Sequence, residues 1–463
     1  MPIQYIKRHR LKFSTLLIIG ALGVACVVVP WKFIAQDKIK TLLAENGFAD
    51  ATLSLSHIGL SNMQIDKLSL AKDAPALFDK LTLHFSPTDL ISGHIRELNF
   101  TGLNLDLQQT AAGWLVNGAS LKTDKTAQTP TPIALPVSDA QLALFPLDSM
   151  ALKDSTFHAA TDSWKLEAPM VIQFNKSPES TIVLNSDYVT LIASGATFNA
   201  AKLHAKLTLD KTAGAWKGNW ETTAIDIKGQ DSLIPSLKGA GTIVASTDNI
   251  IIEGDFNSAD KTTHASFSVT YPLNAPEKAQ CRLISAVLPW NKGVISIKNT
   301  LIPLSGKDNI HMTLNVEHVP VNALMTMLTG KETMATGEVS GSIPLTIKPD
   351  GQIAIGQGKL QTAQPGIITL SPETIPGDNE QVALVRDIMK NLHYNLLSIS
   401  LEGDANKKLS VMMAVEGNNP DVANGRPVKL GVHLTGDLLN FVQQSLLSLL
   451  DPKMFLKQNP NLK

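Results

Sequence analysis

From residue 51 to about residue 435, apolar and polar side chains alternate with a period of two, in short runs broken by Gly, Asn, Asp or Pro. Leu53 and Leu55 alternate with Ser54 and Ser56, and Met63, Ile65, Leu68 and Leu70 continue the pattern. Leu81, Leu83 and Phe85 repeat it, as do Leu98 and Phe100, then Leu103, Leu105 and Leu107. Further on come Leu203, Leu207 and Leu209, the pair Ile225 and Ile227, then Ile343, Leu345 and Ile347, and Ile353 with Ile355. The last runs are Leu397, Ile399 and Leu401; Leu409, Val411, Met413 and Val415; and Val428 to Leu434. A strand turns successive side chains to opposite faces, so each run carries one apolar and one polar face. The pattern predicts a mainly β chain: an elongated, curled antiparallel sheet, groove-like or taco-like, with a few short helices.

An apolar sheet face has to be covered. Two sheets packed face to face would do so as a sandwich, and a single sheet could instead curl around an apolar channel. Sandwich domains are units of about 100 residues with distinct boundaries. Here the alternation persists with one clear break and only 5% aromatic residues. At about 13 residues per strand and turn, the region holds roughly 30 strands, or on the order of 140 Å of sheet. Apolar walls of that kind suit acyl chains, whose burial is worth roughly 0.8 kcal/mol per CH₂. Candidates for such walls are Leu83, Phe85, Leu98, Phe100, Leu103, Leu105, Leu107, Leu207, Leu209, Ile343, Leu345, Ile347, Leu409, Val411, Met413 and Val415. Alternation alone does not separate a channel from a packed core, so both readings stand at this point.

The N-terminus has a different character. Lys7, Arg8, Arg10 and Lys12 precede a nearly uncharged run from Phe13 to Ile34, interrupted only by Lys32. About 20 apolar residues span a bilayer as a helix, and the basic flank is expected to stay cytoplasmic. This predicts a basic tail at 1–12 and a transmembrane signal-anchor at 13–34, placing the rest of the chain across a bacterial inner membrane, in the periplasm. A cleaved signal peptide would have a shorter apolar core, whereas Val27, Val28 and Val29 prolong this one. Lipoprotein processing at Cys26 is the other rival; Gly23 is a poor match to the larger aliphatic residue usual there. With Cys26 inside the anchor, Cys281 has no intrachain partner and reads as a small buried apolar residue.

The segment from Thr129 to Val137, with Pro130, Pro132 and Pro136, marks a linker. It separates an N-terminal β region (35–128) from a middle β-groove region (138–309), followed by a C-terminal domain (310–450) and a polar tail (451–463). Trp114 is expected in a turn between Thr110 and Gly118. Helices are predicted over Gln36 to Glu45, around Val321 to Leu328, and over Asp437 to Leu450. One more is predicted from an Asp378 cap with Gln381 three residues on, carrying Val382, Val385, Ile388, Met389 and Leu392.

No catalytic pattern emerges, and the chain reads as a non-enzyme without cofactor. The eleven histidines show no His-x-x-x-His pair, and His393 beside Tyr394 reads as a strand-edge residue. In Gly337-Glu338-Val339-Ser340-Gly341 the serine falls one place late for a nucleophile elbow. Gly356-Gln357-Gly358 lacks the third glycine of a dinucleotide loop. Arg426, between Gly425 and Pro427, reads as a solvated turn residue. With 40 Lys and Arg against 41 Asp and Glu, there is no basic excess for nucleic acid.

The C-terminal third carries more specific strings. Thr336-Gly337 leads through Ser340-Gly341 to Ile343-Pro344, and Gln364-Pro365-Gly366-Ile367-Ile368 follows. Then come Leu392-His393-Tyr394, Gly417-Asn418-Asn419-Pro420, and Gly425-Arg426-Pro427-Val428. This order resembles the YdbH-like proteins, whose C-terminal region carries an old dicarboxylate-transport label. The stretch Phe85-Ser86-Pro87-Thr88-Asp89-Leu90-Ile91-Ser92-Gly93 resembles the broader AsmA-like group, which implies a strand, a short turn ending in Gly, and another strand. The resemblance implies an inner-membrane-anchored, bridge-like lipid-transfer protein whose groove carries phospholipid toward the outer membrane. It also implies a small outer-membrane lipoprotein partner, YnbE-like, at the C-terminal end; Lys429 and His433 are candidate edge residues for it. A tethering or assembly factor built of packed sandwiches is the alternative function.

Overall fold

The computed structural model describes residues 31–436 apart from 46–47, 72–73, 93, 111–112, 121–136, 162–163, 194–195, 229–233, 330–333, 350–351, 372–378 and 405–408. The chain divides into two compact units: Met1–Asp226 with Gly239–Ile252, and Ile227–Lys238 with Glu253–Lys463. Strands dominate the described residues, and the helices are short.

The first unit begins with helix α1 (Trp31–Glu45). Strands β1 (Thr52–Ile58), β2 (Asn62–Ser69), β3 (Phe78–His84) and β4 (Ile95–Thr101) follow as an antiparallel meander. The register stacks the predicted apolar positions: Leu55 opposite Ile65, Ile65 opposite Leu81, Leu83 opposite Leu98. Ile39 of α1 packs on that side, Gln36 Nε2 donates to the Leu53 carbonyl at 2.9 Å, and Phe78 meets Phe100 edge-on at 5.6 Å. The stretch expected as a turn between β3 and β4 is a helix, α2 (Pro87–Ser92). Ser86 and Asp89 cap it reciprocally, each backbone N–H donating to the other's side-chain oxygen at 3.1 Å. Hydrogen bonds from Ser86 and from Arg96 hold the Asp89 carboxyl below its ordinary range.

Strand β5 (Asn104–Thr110) pairs with β6 (Gly113–Val116), which pairs with β7 (Ala119–Ser120). Trp114 therefore lies on strand β6, paired with β5, and not in the expected turn. Helix α3 (Asp139–Leu144), capped by Ser138, had no counterpart in the sequence reading. It precedes the long strand β8 (Leu147–Ala160), which lies parallel to β4 along its first half and parallel to β5 along its second. On its other side β8 pairs antiparallel with β9 (Trp164–Asn175), followed by β10 (Thr181–Ala193) and β11 (Ala196–Asp210). Then come β12 (Ala215–Lys228), β13 (Leu237–Ala245) and β14 (Asn249–Ser258), each with residues in both units. A second core in this unit gathers Val137, Leu142, Phe174, Leu209, Trp216 and Ala245.

The second unit holds β15 (His264–Pro272), β16 (Gln280–Trp290), β17 (Gly293–Pro303) and β18 (Ile310–Pro320), followed by helix α4 (Val321–Thr329). Then come β19 (Met334–Ala335), β20 (Glu338–Ile347), β21 (Ile353–Thr362) and β22 (Gly366–Thr369). Helix α5 (Glu380–Met389), β23 (Leu392–Asp404), β24 (Leu409–Asn418) and β25 (Val428–Gly436) complete it. Pairing runs antiparallel from β15 through β18, on to β20 and β21, then to β23, β24 and β25. The short strand β22 joins β19 to β23. The cap of α5 is Asn379, whose side chain accepts from Val382 N at 2.8 Å. Leu392, expected on this helix, instead opens β23, because the helix ends at Met389.

No helix among the described residues is long and apolar enough to cross a membrane. Of the expected anchor, 13–30 lies outside the described residues, and Trp31 to Ile34 form the start of α1. The linker up to Pro136 and the helix expected from Asp437 also lie outside them.

Candidate functional site

The register of the second unit aligns one apolar side from strand to strand. Val269 stands opposite Cys281, Phe267 opposite Leu283, and Ala286 opposite both Ala265 and Ile297. Ile297 then faces Leu314, Leu314 faces Ile343, and Leu345 faces both Met312 and Ile355. Leu360 meets Ile399, Ile399 meets Met413, and Met413 meets Val432. The other side carries Ser268 and Arg282 opposite each other, then Ser285 and Lys298, Asn315 and Ser342, Lys359 and Ser400. Period two in the sequence thus becomes one continuous apolar side across this unit, backed by a mainly polar side that also exposes Leu301 opposite Arg282.

From β18 to β24 the apolar side is filled. Val316, Leu345, Leu360, Leu397, Ile399 and Met413 are buried together with Leu324 and Met325 of α4 and Ile388 and Met389 of α5. The strings that resembled a family build this cover. The Tyr394 hydroxyl, whose pKa burial raises, donates to the Thr336 carbonyl at 2.7 Å. A Cβ at Gly337, where φ is +94°, would sit 2.2 Å from that hydroxyl oxygen, and one at Gly366 would sit 2.5 Å from it. Glycine is therefore required at both places by close approach, and at Gly337 by backbone conformation as well. Asn419 is buried, and its side-chain amide donates to the carbonyls of Asp387 and Ile388 at 3.0 Å, satisfying the end of α5. Asn419 and Tyr394 carry structural roles that sequence reasoning missed; their signal was position inside specific strings, with no pattern to say which backbone they would reach.

On β15, β16 and β17 the same side is only half-buried. Ala265, Phe267, Val269, Leu283, Leu288, Ile295 and Ile297 all retain accessible surface, and Tyr271 is exposed. The filled cluster reaches only Trp290, Met312 and Leu314 in this direction. Phe267 stacks on Phe256 with ring centroids 4.9 Å apart. Cys281 lies on this side as a free thiol, and burial raises its pKa. The region is thus sheltered from water without being packed solid.

The proposed wall residues divide between these conditions. In the first unit Leu83, Phe85 and Leu98 are buried in the meander core and Leu209 in the core around Trp216. Phe100, Leu103, Leu105, Leu107 and Leu207 are half-buried; Leu105 stands opposite Phe157 and Leu107 opposite Ala159. In the second unit Leu345, Val411, Met413 and Val415 are fully buried, while Ile343 and Ile347 are half-buried. The side chain of Leu409 lies outside the described residues. Lys429 and His433 both lie on β25, the last described strand; Lys429 is ion-paired with Glu416 on β24. The side chain of His433 lies outside the described residues. His393 contacts Asn391 at 3.2 Å, and Arg426 is exposed.

Against known proteins, residues 265–444 match the model of the YdbH-like family, described as intermembrane phospholipid transport protein YdbH. The match contains every string of the C-terminal resemblance. No curated protein and no solved structure matches the chain.

Proposed function

We propose that this protein carries phospholipid along the apolar side of its strands, as an inner-membrane-anchored periplasmic bridge serving outer-membrane lipid homeostasis. The observation that supports this most is the half-buried apolar side of β15 to β17, inside the segment that matches the phospholipid-transport family. A packed core would leave such side chains fully covered. Acyl chains laid there would remove the remaining apolar surface from water, at about 0.8 kcal/mol per CH₂. Opposite them, Ser268, Arg282 and Lys298 give the polar side that such a conduit turns to water. In this reading the basic-flanked apolar run at 13–34 is the anchor, and β25 offers its edge to a small YnbE-like lipoprotein of the outer membrane.

A photocrosslinking amino acid at Leu283, Ile297 or Leu105 in living cells tests the reading. Phospholipid adducts are expected at all three, and none at Ser268 on the polar side. Only intramolecular adducts at all three positions would overturn it in favour of a packed assembly scaffold.

A further inference from the structure

The ladder of the second unit has a local fault. β16 and β17 pair from Gln280↔Pro303 to Trp290↔Gly293, and β18 and β20 pair from Ile310↔Ile347 to Pro320↔Glu338. Between them, β17 and β18 are in register only from Val294↔Glu317 to Ile297↔Leu314. Past that point, residues 298–303 of β17 and 310–313 of β18 leave the shared ladder. The break lies beside Asn299, whose φ of +49° is left-handed. Beside the last pairs, the Ser296 hydroxyl is buried without a hydrogen-bond partner.

A cavity of about 250 Å³ opens at this fault, lined by residues 298–300, 311–313 and 344–346. Its lining draws on residues of both faces. Met312 and Leu345 face each other on the apolar side, as Thr300 faces Leu283 there, whereas Lys298, His311 and Thr346 belong to the polar side. His311 Nδ1 lies 3.1 Å from the Thr346 hydroxyl. The lining contains a lysine, a histidine and three threonines, and no carboxylate. At about 30 Å³ per water, the volume holds roughly eight waters, enough for a phosphate-bearing headgroup and too little for an acyl chain.

We infer that this fault is a lateral port through the sheet, where the phosphodiester headgroup of a phospholipid sits between Lys298 and His311 while its acyl chains lie on the apolar side. The lysine supplies charge, and the imidazole and threonine hydroxyls supply hydrogen bonds to phosphate oxygens. The inference rests on the lipid-carrying reading above and adds a place where a lipid crosses the wall.

Two photocrosslinkers in the full-length protein separate the claims: one at Thr313 in the port, one at Leu283 on the apolar side of β16. The port predicts a phospholipid adduct at Thr313 that falls at least five-fold in the double variant K298E/H311E, while the Leu283 adduct persists. Both substituted side chains are exposed, so the fold is expected to tolerate them. An adduct at Leu283 with none at Thr313, or a Thr313 adduct indifferent to the double variant, would overturn the port and leave lipid carriage standing. Absence of adducts at both positions would overturn both. Calorimetry with inorganic phosphate alone distinguishes the source: saturable binding lost in K298E/H311E, without a Thr313 lipid adduct, would assign the site to free phosphate and overturn the headgroup.

Discussion

Two stretches of the second unit share one apolar side and differ in what lies over it. From β18 to β24, helices α4 and α5 pack with the strands in one filled cluster that seals Val316, Leu345, Leu360, Leu397, Ile399 and Met413. From β15 to β17 the aliphatic residues are of the same kind and follow the same alternation, yet each keeps surface accessible. Composition therefore does not decide whether such a sheet is a core or a channel wall. The decision falls to two helices of 9 and 10 residues; an asparagine amide ties down the end of the second, and a tyrosine hydroxyl holds the Thr336 backbone that follows the first.

The sharpest way to break this comparison is one substitution made in both stretches. Leu397→Ala, in the filled part, should cost about 4 kcal/mol, lost transfer energy plus a cavity. Leu283→Ala, in the half-buried part, should cost about 1 kcal/mol, since little packing is lost. Urea unfolding followed by circular dichroism measures both, and equal costs would mean that β16 is as solidly packed as β23.

Gly337→Ala comes next, with an expected loss of about 3 kcal/mol from left-handed strain combined with a clash at the Tyr394 hydroxyl. The same unfolding assay reads it. A loss below about 1 kcal/mol would remove the tyrosine latch from the account of why the cover stays closed. Asn419→Ala is smaller, about 1 to 2 kcal/mol, because it strands two helix-end carbonyls near the protein interior. Hydrogen exchange should show the effect concentrated in α5, with β15 to β17 unchanged.

The smallest effect concerns Cys281. Its folded pKa is raised by burial, so the thiol stays protonated to higher pH than a free cysteine. Its contribution to stability is full below the free-thiol pKa and declines as pH rises from there through the folded value. In a Cys26→Ser variant, the iodoacetamide rate at Cys281 should reach half-maximum above the free-thiol pKa. A midpoint at the free-thiol value would mean open water on that side of β16.

Much of this was legible in the sequence. The alternation Leu81, Leu83, Phe85 and the runs through Val415 mark strands, because a period of two needs no tertiary information. Helix α2 is also written locally, as Ser86-Pro87-Thr88-Asp89, a reciprocal cap with proline at the first helical position. The filling of the apolar side was not legible. Leu345 and Ile343 are two residues apart on the same strand and face, and one is sealed while the other is half-exposed. Only the long-range placement of α4 and α5 separates them. The cap of α5 illustrates the same limit at short range, since Asp378 and Asn379 both suit the role and the backbone selected the second.

One further feature bears on how the molecule comes into being. Ile95 pairs with Leu147, and Gln108 with Ala160, across parallel ladders that no hairpin can close. A ribosome delivers β4 and β5 some 50 residues before the strand that completes them, so both must wait with raw edges. A chaperone that holds this segment until residue 160 has emerged would guard the growing chain at its most aggregation-prone moment, and a stop codon placed between β7 and β8 should yield inclusion bodies instead of a smaller soluble domain.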